Sequence, residues 1–119
     1  MPIYSHVYQT DEKHSAKSLG SGGLMVLATP ALVAFLENAA YSFVQENLVD
    51  DQTTVGSEIA LQHLAASRIG DAVTVNITSL NEEGRKYQFE LEALVGDKLV
   101  GKARHTRVRI NSTAFMEKL

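Results

Sequence analysis

The sequence contains no cysteine among its 119 residues. This absence excludes a disulfide framework, a thiolate nucleophile and a zinc site ligated by cysteine. It also fits a reducing compartment, and we expect a cytoplasmic protein. We expect no metal site of another kind, because the four histidines show no ligand spacing and the acidic residues do not group around them.

The sequence also lacks a long apolar run and an excess of basic residues. Its longest apolar stretch, residues 31–36, is far too short to span a bilayer, and no basic region followed by an apolar run stands at the N-terminus. The net charge of −3 argues against a general nucleic-acid surface. We therefore expect a single domain over residues 1–119, with neither membrane nor nucleic acid as a partner.

Alternating apolar and polar residues dominate the second half of the chain, a pattern typical of antiparallel strands with one face in water. Residues 11–23 are polar and rich in glycine and suggest a flexible connection, and a helix is predicted from Thr29 to about Leu48. The predicted strands cover residues 3–9, 53–65, 72–80, 86–95 and 99–110. The economical packing is an α+β fold in which a five-stranded antiparallel sheet wraps one long central helix.

The predicted helix begins with Thr29 and Pro30, which are typical of an N-cap and of the first helical position. From residue 31 to residue 40 it is apolar on nearly every side, and Glu37 is its only charge there. Such a helix is expected to be buried on all sides. Because the chain is too small to cover it alone, we predict a homodimer or a higher oligomer.

The second predicted strand, residues 53–65, is interrupted by Gly56, which suggests a bulge or a close approach of the backbone to a ligand. Strict alternation would place Thr54 on its polar face, together with Glu58 and Gln62. The apolar face would then carry Val55, Ile59, Leu61 and His63.

Three polar side chains are candidates for chemistry, and each has a simpler interpretation. Thr29 is explained by its role as a helix cap, Glu37 could face a solvent gap or pair with an arginine, and His63 could be a hydrogen-bonded core residue. Together they supply a hydroxyl, a carboxylate and an imidazole, the set used in acyl transfer. Eight helical residues rise about 12 Å, so Thr29 and Glu37 of one helix cannot both touch one reacting carbonyl. We favour a site shared by two subunits over a bend before the helix.

Basic residues cluster towards the end of the chain. The simpler interpretation is a solvated edge strand protected from aggregation by its charges. The alternative is a local site for an anionic ligand. The cluster consists of Lys98, Lys102, Arg104, Arg107 and Arg109.

The chain resembles the fluoroacetyl-coenzyme A thioesterase-like family of hotdog proteins from about Ser15 to Ile110. The resemblance rests on VLATPALVAFLENAA at 26–40, TTVGSEIALQHLAAS at 53–67, the GD turn at 70–71 and GKARHTRVRI at 101–110. It implies a homodimer with active sites at the subunit interface and no metal. It also implies catalytic roles for Thr29, Glu37 and His63, with Gly56 and Arg107 lining the site.

The resemblance implies hydrolysis of a small acyl-CoA thioester, with coenzyme A as part of the substrate and no separate cofactor. The segment SLGSGGLMVLAT, residues 18–29, has no phenylalanine where the fluoroacetyl-specific enzyme has aromatic lid residues. A broader or different short acyl group is therefore expected. Attack by water and an acyl-threonine intermediate both remain open. The alternatives are a non-catalytic acyl-CoA binding module and a hotdog hydratase or dehydratase, although the Asp–His pair of those enzymes is missing here.

Overall fold

A computed structural model describes all 119 residues and confirms the predicted α+β architecture. The strands are β1 (Tyr4–Gln9), β2 (Gln52–His63), β3 (Ala72–Glu83), β4 (Lys86–Val95) and β5 (Lys98–Asn111). The helices are α1 (Ala16–Leu19), α2 (Thr29–Gln45) and α3 (Ser112–Glu117), and a 3₁₀ turn spans Glu12–His14. None of these helices is long and apolar enough to cross a membrane.

The five strands form one antiparallel sheet in the order β1-β3-β4-β5-β2. The basic strand β5 therefore lies inside the sheet, and the expectation that it forms an edge is wrong. Its charged residues divide by alternation, so that Lys102 and Arg104 face solvent whereas Arg107 is buried. The free edges belong to β1 and β2.

The core lies between α2 and the inner face of the sheet. The predicted alternation of β3 and β4 is confirmed, because their apolar residues point towards the helix and are almost completely buried. These residues are Val73, Val75, Ile77, Tyr87, Phe89, Leu91 and Ala93. From the helix, Leu32 and Leu36 are fully buried against them, and truncating either to alanine would cost about 2–5 kcal/mol.

Helix α2 is covered on one side only. The opposite side carries the exposed residues Ala34 and Asn38, the half-buried Glu37, and Tyr41 with 38% of its surface exposed. Burial on all sides is therefore not achieved within one copy of the chain. The helix also ends at Gln45, three residues before the predicted end.

A bulge between Gly56 and Glu58 confirms the irregularity predicted for β2. It places two residues, Ser57 and Glu58, between inward-facing Gly56 and Ile59, so the alternation changes phase. Thr54 is consequently buried, and its predicted position on the polar face is wrong. Strict alternation fails because one strand gains a residue that its partner lacks.

The segment before α2 is more ordered than its composition suggests. Asp11 caps the 3₁₀ turn, and the fully buried Ser15 caps α1 by accepting a hydrogen bond from the Ser18 amide. The prediction of a flexible connection over residues 11–23 is therefore wrong for its first half. Two short capped helical elements occupy that part of the segment.

Candidate active site

Thr29 and His63 are brought together by the start of α2 and the end of β2. The Thr29 Oγ1 atom lies 2.7 Å from His63 Nδ1. The N-cap of α2 is Ala28, which has no side-chain capping bond, and Thr29 is already the first helical residue. The expectation that Thr29 caps the helix is therefore wrong, because its hydroxyl contacts the imidazole instead. Thr29 is exposed and accessible to a ligand.

The imidazole of His63 is partly buried and has one nitrogen without a partner. Burial lowers the pKa of His63 from its ordinary value of 6.5, which favours the neutral ring. Its Nε2 atom is buried and makes no hydrogen bond within the chain. A cavity of about 300 Å³ adjoins the Thr29–His63 pair, and most of its wall consists of small or apolar side chains.

A second polar group lies on the inner face of β2 and β5, next to Glu37 of α2. A Cβ atom at Gly56 would lie 2.9 Å from Glu37 Oε2, 3.1 Å from His105 Cε1 and 3.3 Å from Arg107 Nη1. A side chain at position 56 would displace the Glu37 carboxylate and press on the His105 ring and the Arg107 guanidinium. The Glu37 carboxylate is 4.0 Å from Arg107 Nη1, an ion-pair distance too long for a good direct hydrogen bond.

Arg107 is buried, with 7% of its surface exposed. Its Nε donates to Thr54 Oγ1 at 2.8 Å, and its Nη2 donates to the Thr54 carbonyl at 3.0 Å. Burial lowers the pKa of Arg107, and the Glu37 carboxylate opposes that shift. The guanidinium also lies 5.8 Å from the centre of the Tyr41 ring. Arg107 is thus a fixed positive charge beside Glu37.

Sequence reasoning missed two members of this group, Thr54 and His105. His105 is only 2% exposed and bonds to the Glu58 carbonyl and to Arg107. A signal for it was present, because alternation along β5 places His105 on the same face as Arg107. Thr54 gave no such signal, since the bulge at Gly56 reverses its side of the strand.

The two polar groups remain apart within one chain. Thr29 and Glu37 are separated by about 12 Å of helix, as expected, and no hydrogen bond or ion pair joins Glu37 to His63. The pKa of His63 responds to burial alone. Glu37 therefore has no influence on the pKa of His63 within a single copy.

Residues 10–113 match the sequence profile of FlK, described as the fluoroacetyl-CoA-specific thioesterase. The chain belongs to this family. Membership in the FlK family confirms the prediction of a thioester hydrolase. No curated protein matches the sequence.

Solved structures show the same hotdog fold. A crystal structure of an FlK variant with acetyl-CoA has a TM-score of 0.90 at 24% identity, covering 97% of this chain and 91% of that one. A thioesterase superfamily member from Thermus thermophilus has a TM-score of 0.85 at 22% identity, with coverage of 97% and 87%. A hot-dog-like protein from Thermanaerovibrio acidaminovorans gives 0.83 at 16% identity, with coverage of 97% and 85%. At these identities the structures establish the fold.

Proposed function

We propose that this protein hydrolyses a short acyl-CoA thioester at a site that two copies of the chain complete. The observation that carries the proposal is the 2.7 Å contact between Thr29 Oγ1 and His63 Nδ1. An imidazole with a lowered pKa is neutral at physiological pH and can accept the hydroxyl proton. A hydroxyl paired with a base is the arrangement of an activated nucleophile.

In the proposed reaction, the Thr29 hydroxyl transfers its proton to His63 Nδ1 while Oγ1 bonds to the thioester carbonyl carbon. The carbon–sulfur bond then breaks, and the coenzyme A thiolate takes the proton from His63. Water hydrolyses the resulting threonine ester, with His63 again accepting and returning the proton. Backbone amides in the first turn of α2 have no intrahelical acceptor, and they are suited to hold the carbonyl oxygen while it is negatively charged.

The third catalytic group is Glu37 of a second copy. When Nδ1 accepts the proton of Thr29, His63 Nε2 is the protonated nitrogen and needs an acceptor, which its own chain does not supply. The Glu37 carboxylate lies on the uncovered side of α2, and β2 has a free edge beside it. A homodimer formed through these surfaces would cover the helix, and a shift that opens the buried Nε2 would let the partner's Glu37 reach the imidazole. Gly56 and Arg107 would line the site.

We propose that the substrate carries a short acyl group and that the enzyme is not restricted to fluoroacetyl. The cavity beside Thr29 is lined by small side chains such as Ala16, Ser21, Ala65 and Ala66, and the neighbouring segment has no phenylalanine. Coenzyme A is part of the substrate, and the proposed steps use only protein groups and water. A cytoplasmic location stays a prediction.

The proposal is tested by measuring thiol release from acyl-CoA substrates of increasing chain length. We expect turnover with short acyl groups and its loss in Thr29→Ala, while Thr113→Ala, at an exposed threonine of α3, should behave as the unmodified protein. Intact mass during turnover should show an acyl adduct on the protein. Tight binding of acyl-CoA without any thiol release would instead support a binding module.

A further inference from the structure

His105 lies at the centre of the second polar group, although it faces neither Thr29 nor His63. We propose that His105 is a positioning residue, whose neutral ring orients Arg107 and, through it, the Glu37 carboxylate. Its catalytic consequence rests on the proposed thioesterase reaction, whereas its effect on Arg107 does not. The reasons are its hydrogen bonds, its burial and the position of Arg107 Nη1.

The two hydrogen bonds of His105 fix its tautomer. Nδ1 lies 2.7 Å from the Glu58 carbonyl oxygen, which can only accept, so Nδ1 must carry a proton. Nε2 lies 3.1 Å from Arg107 Nη1, which can only donate, so Nε2 must be unprotonated. Both partners are therefore satisfied by the same neutral ring and by no other form. The Glu58 carbonyl that Nδ1 meets belongs to the first paired residue after the bulge of β2.

The arginine nitrogen that His105 holds is the one that faces the site. Nη1 is the atom 4.0 Å from Glu37 Oε2, whereas the Nε and Nη2 bonds to Thr54 anchor the other side of the guanidinium. Without His105, the two bonds to Thr54 would hold the guanidinium on one side only. The third bond therefore sets the direction in which Nη1 meets the carboxylate. The ring of His105 also lies beside that of Phe89, with the ring centres 6.1 Å apart.

The surroundings of His105 also keep it neutral. Burial lowers its pKa most, the Glu58 bond raises it, Arg107 lowers it and Glu37 raises it. The charged groups that face it are thus Arg107 on its own strand and Glu37 from α2. From β4 it meets the apolar Phe89, and from β2 the Glu58 carbonyl. A second proton would sit on Nε2, directly against the arginine. Nη1 would then lose its acceptor, and the positive imidazolium would face the positive guanidinium.

Two substitutions separate the two hydrogen bonds of His105. In His105→Asn the side-chain amide reaches the position of Nδ1 and can keep the bond to Glu58, but it loses the acceptor for Arg107. In His105→Gln the amide oxygen reaches the position of Nε2 and keeps the acceptor, but it loses the bond to Glu58. If His105 acts through Arg107, kcat should fall on the order of 10- to 100-fold in His105→Asn, the scale of a displaced catalytic geometry. His105→Gln should retain most of the activity.

Nitrogen-15 NMR of the folded protein supplies a readout that needs no substrate. We expect the His105 ring in the Nδ1–H form, and an Arg107 Nε–H resonance that is preserved in His105→Gln and shifted or broadened in His105→Asn. Thermal unfolding of both variants reports their stability separately. Equal activities per folded molecule, or an Arg107 resonance unchanged in His105→Asn, would overturn the proposal. If no acyl-CoA is hydrolysed by the unmodified protein, the proposed function fails and the NMR result still decides the role of His105.

Discussion

Thr29 and His63 are 34 positions apart in the sequence, and their side chains meet at 2.7 Å because a helix starts where a strand ends. The helix supplies the exposed Thr29 hydroxyl, which accepts no hydrogen bond from a backbone amide. The strand supplies an imidazole whose far nitrogen has no partner in its own chain. This junction is the part of the proposed site that a single copy holds complete.

The role of His63 can be separated from a structural role by replacing it with alanine. We expect thioester hydrolysis to fall on the order of 100-fold or more, the usual scale for loss of a positioned base. Stability should change much less, because the ring makes one hydrogen bond and lies at the end of a strand. His6→Ala, at an exposed histidine of β1, is the matched control. A core histidine would give the opposite result, a lower melting temperature with normal turnover in the folded fraction.

The dimer prediction can be tested on the uncovered side of α2. Ala34→Glu adds a charge to an exposed position on that side and should leave the single-copy fold intact. We expect light scattering to give a dimer for the unmodified protein at micromolar concentration and a folded monomer with at least about tenfold lower activity for the variant. Gln88→Glu, on the outer face of the sheet, should change neither the dimer nor the activity. A folded, fully active monomer of the unmodified protein would contradict the shared site.

The buried His105 and the partly buried His63 predict how stability depends on pH. Burial lowers the pKa of His63 and of His105 below the ordinary value of 6.5, so the unfolded chain binds more protons than the folded one in this range. Their contribution to stability is therefore fully present above that value and is lost as pH falls below it. We expect urea unfolding to give a lower free energy at about pH 5.5 than at about pH 7.5. His63→Gln should reduce this difference, and an unchanged difference would contradict the assignment of His63.

A side chain at position 56 is expected to displace the groups around it. In Gly56→Ala the new methyl group would lie 2.9 Å from the movable Glu37 carboxylate and 3.1 Å from the buried His105 ring, and we expect a loss of stability of about 1 kcal/mol, at the low end for overpacking. Activity should also fall, because Glu37 and Arg107 must move. Gly23→Ala is the control, since nothing lies within 4 Å of its new methyl group. Equal behaviour of the two variants would remove Gly56 from the site.

Much of the fold could be predicted because its strands bury one face and wet the other. Alternation alone predicts the strand that contains Val73, Val75 and Ile77. Pro30 predicts the start of the helix to within one residue. The order of the strands could not be read this way, since alternation says nothing about neighbours. For that reason β5, with its many charges, resembled an edge strand although it lies inside the sheet.

The residues of the candidate site could be predicted more completely than the contacts between them. Glu37 stands out as a charge on an apolar helix, and His63 as an imidazole on an apolar strand face. Their separation within one chain also follows from helix geometry. The prediction that Thr29 caps the helix was wrong. Capping rules consider only partners near in the sequence, and His63 is 34 positions away. Thr54 and the bonds of His105 depend on the bulge, whose exact length the sequence does not show.

The bulge in β2 changes which positions of the strand face inward. Before it, Thr54 and Gly56 face inward on even-numbered positions, and after it Ile59, Leu61 and His63 face inward on odd-numbered ones. If Ser57 were paired in regular alternation instead of bulging, one half of the strand would have to turn its inward set towards solvent. The arginine-binding half and the imidazole-bearing half could then no longer both face α2. The bulge thus absorbs the extra residue and lets both halves of the strand face the same helix.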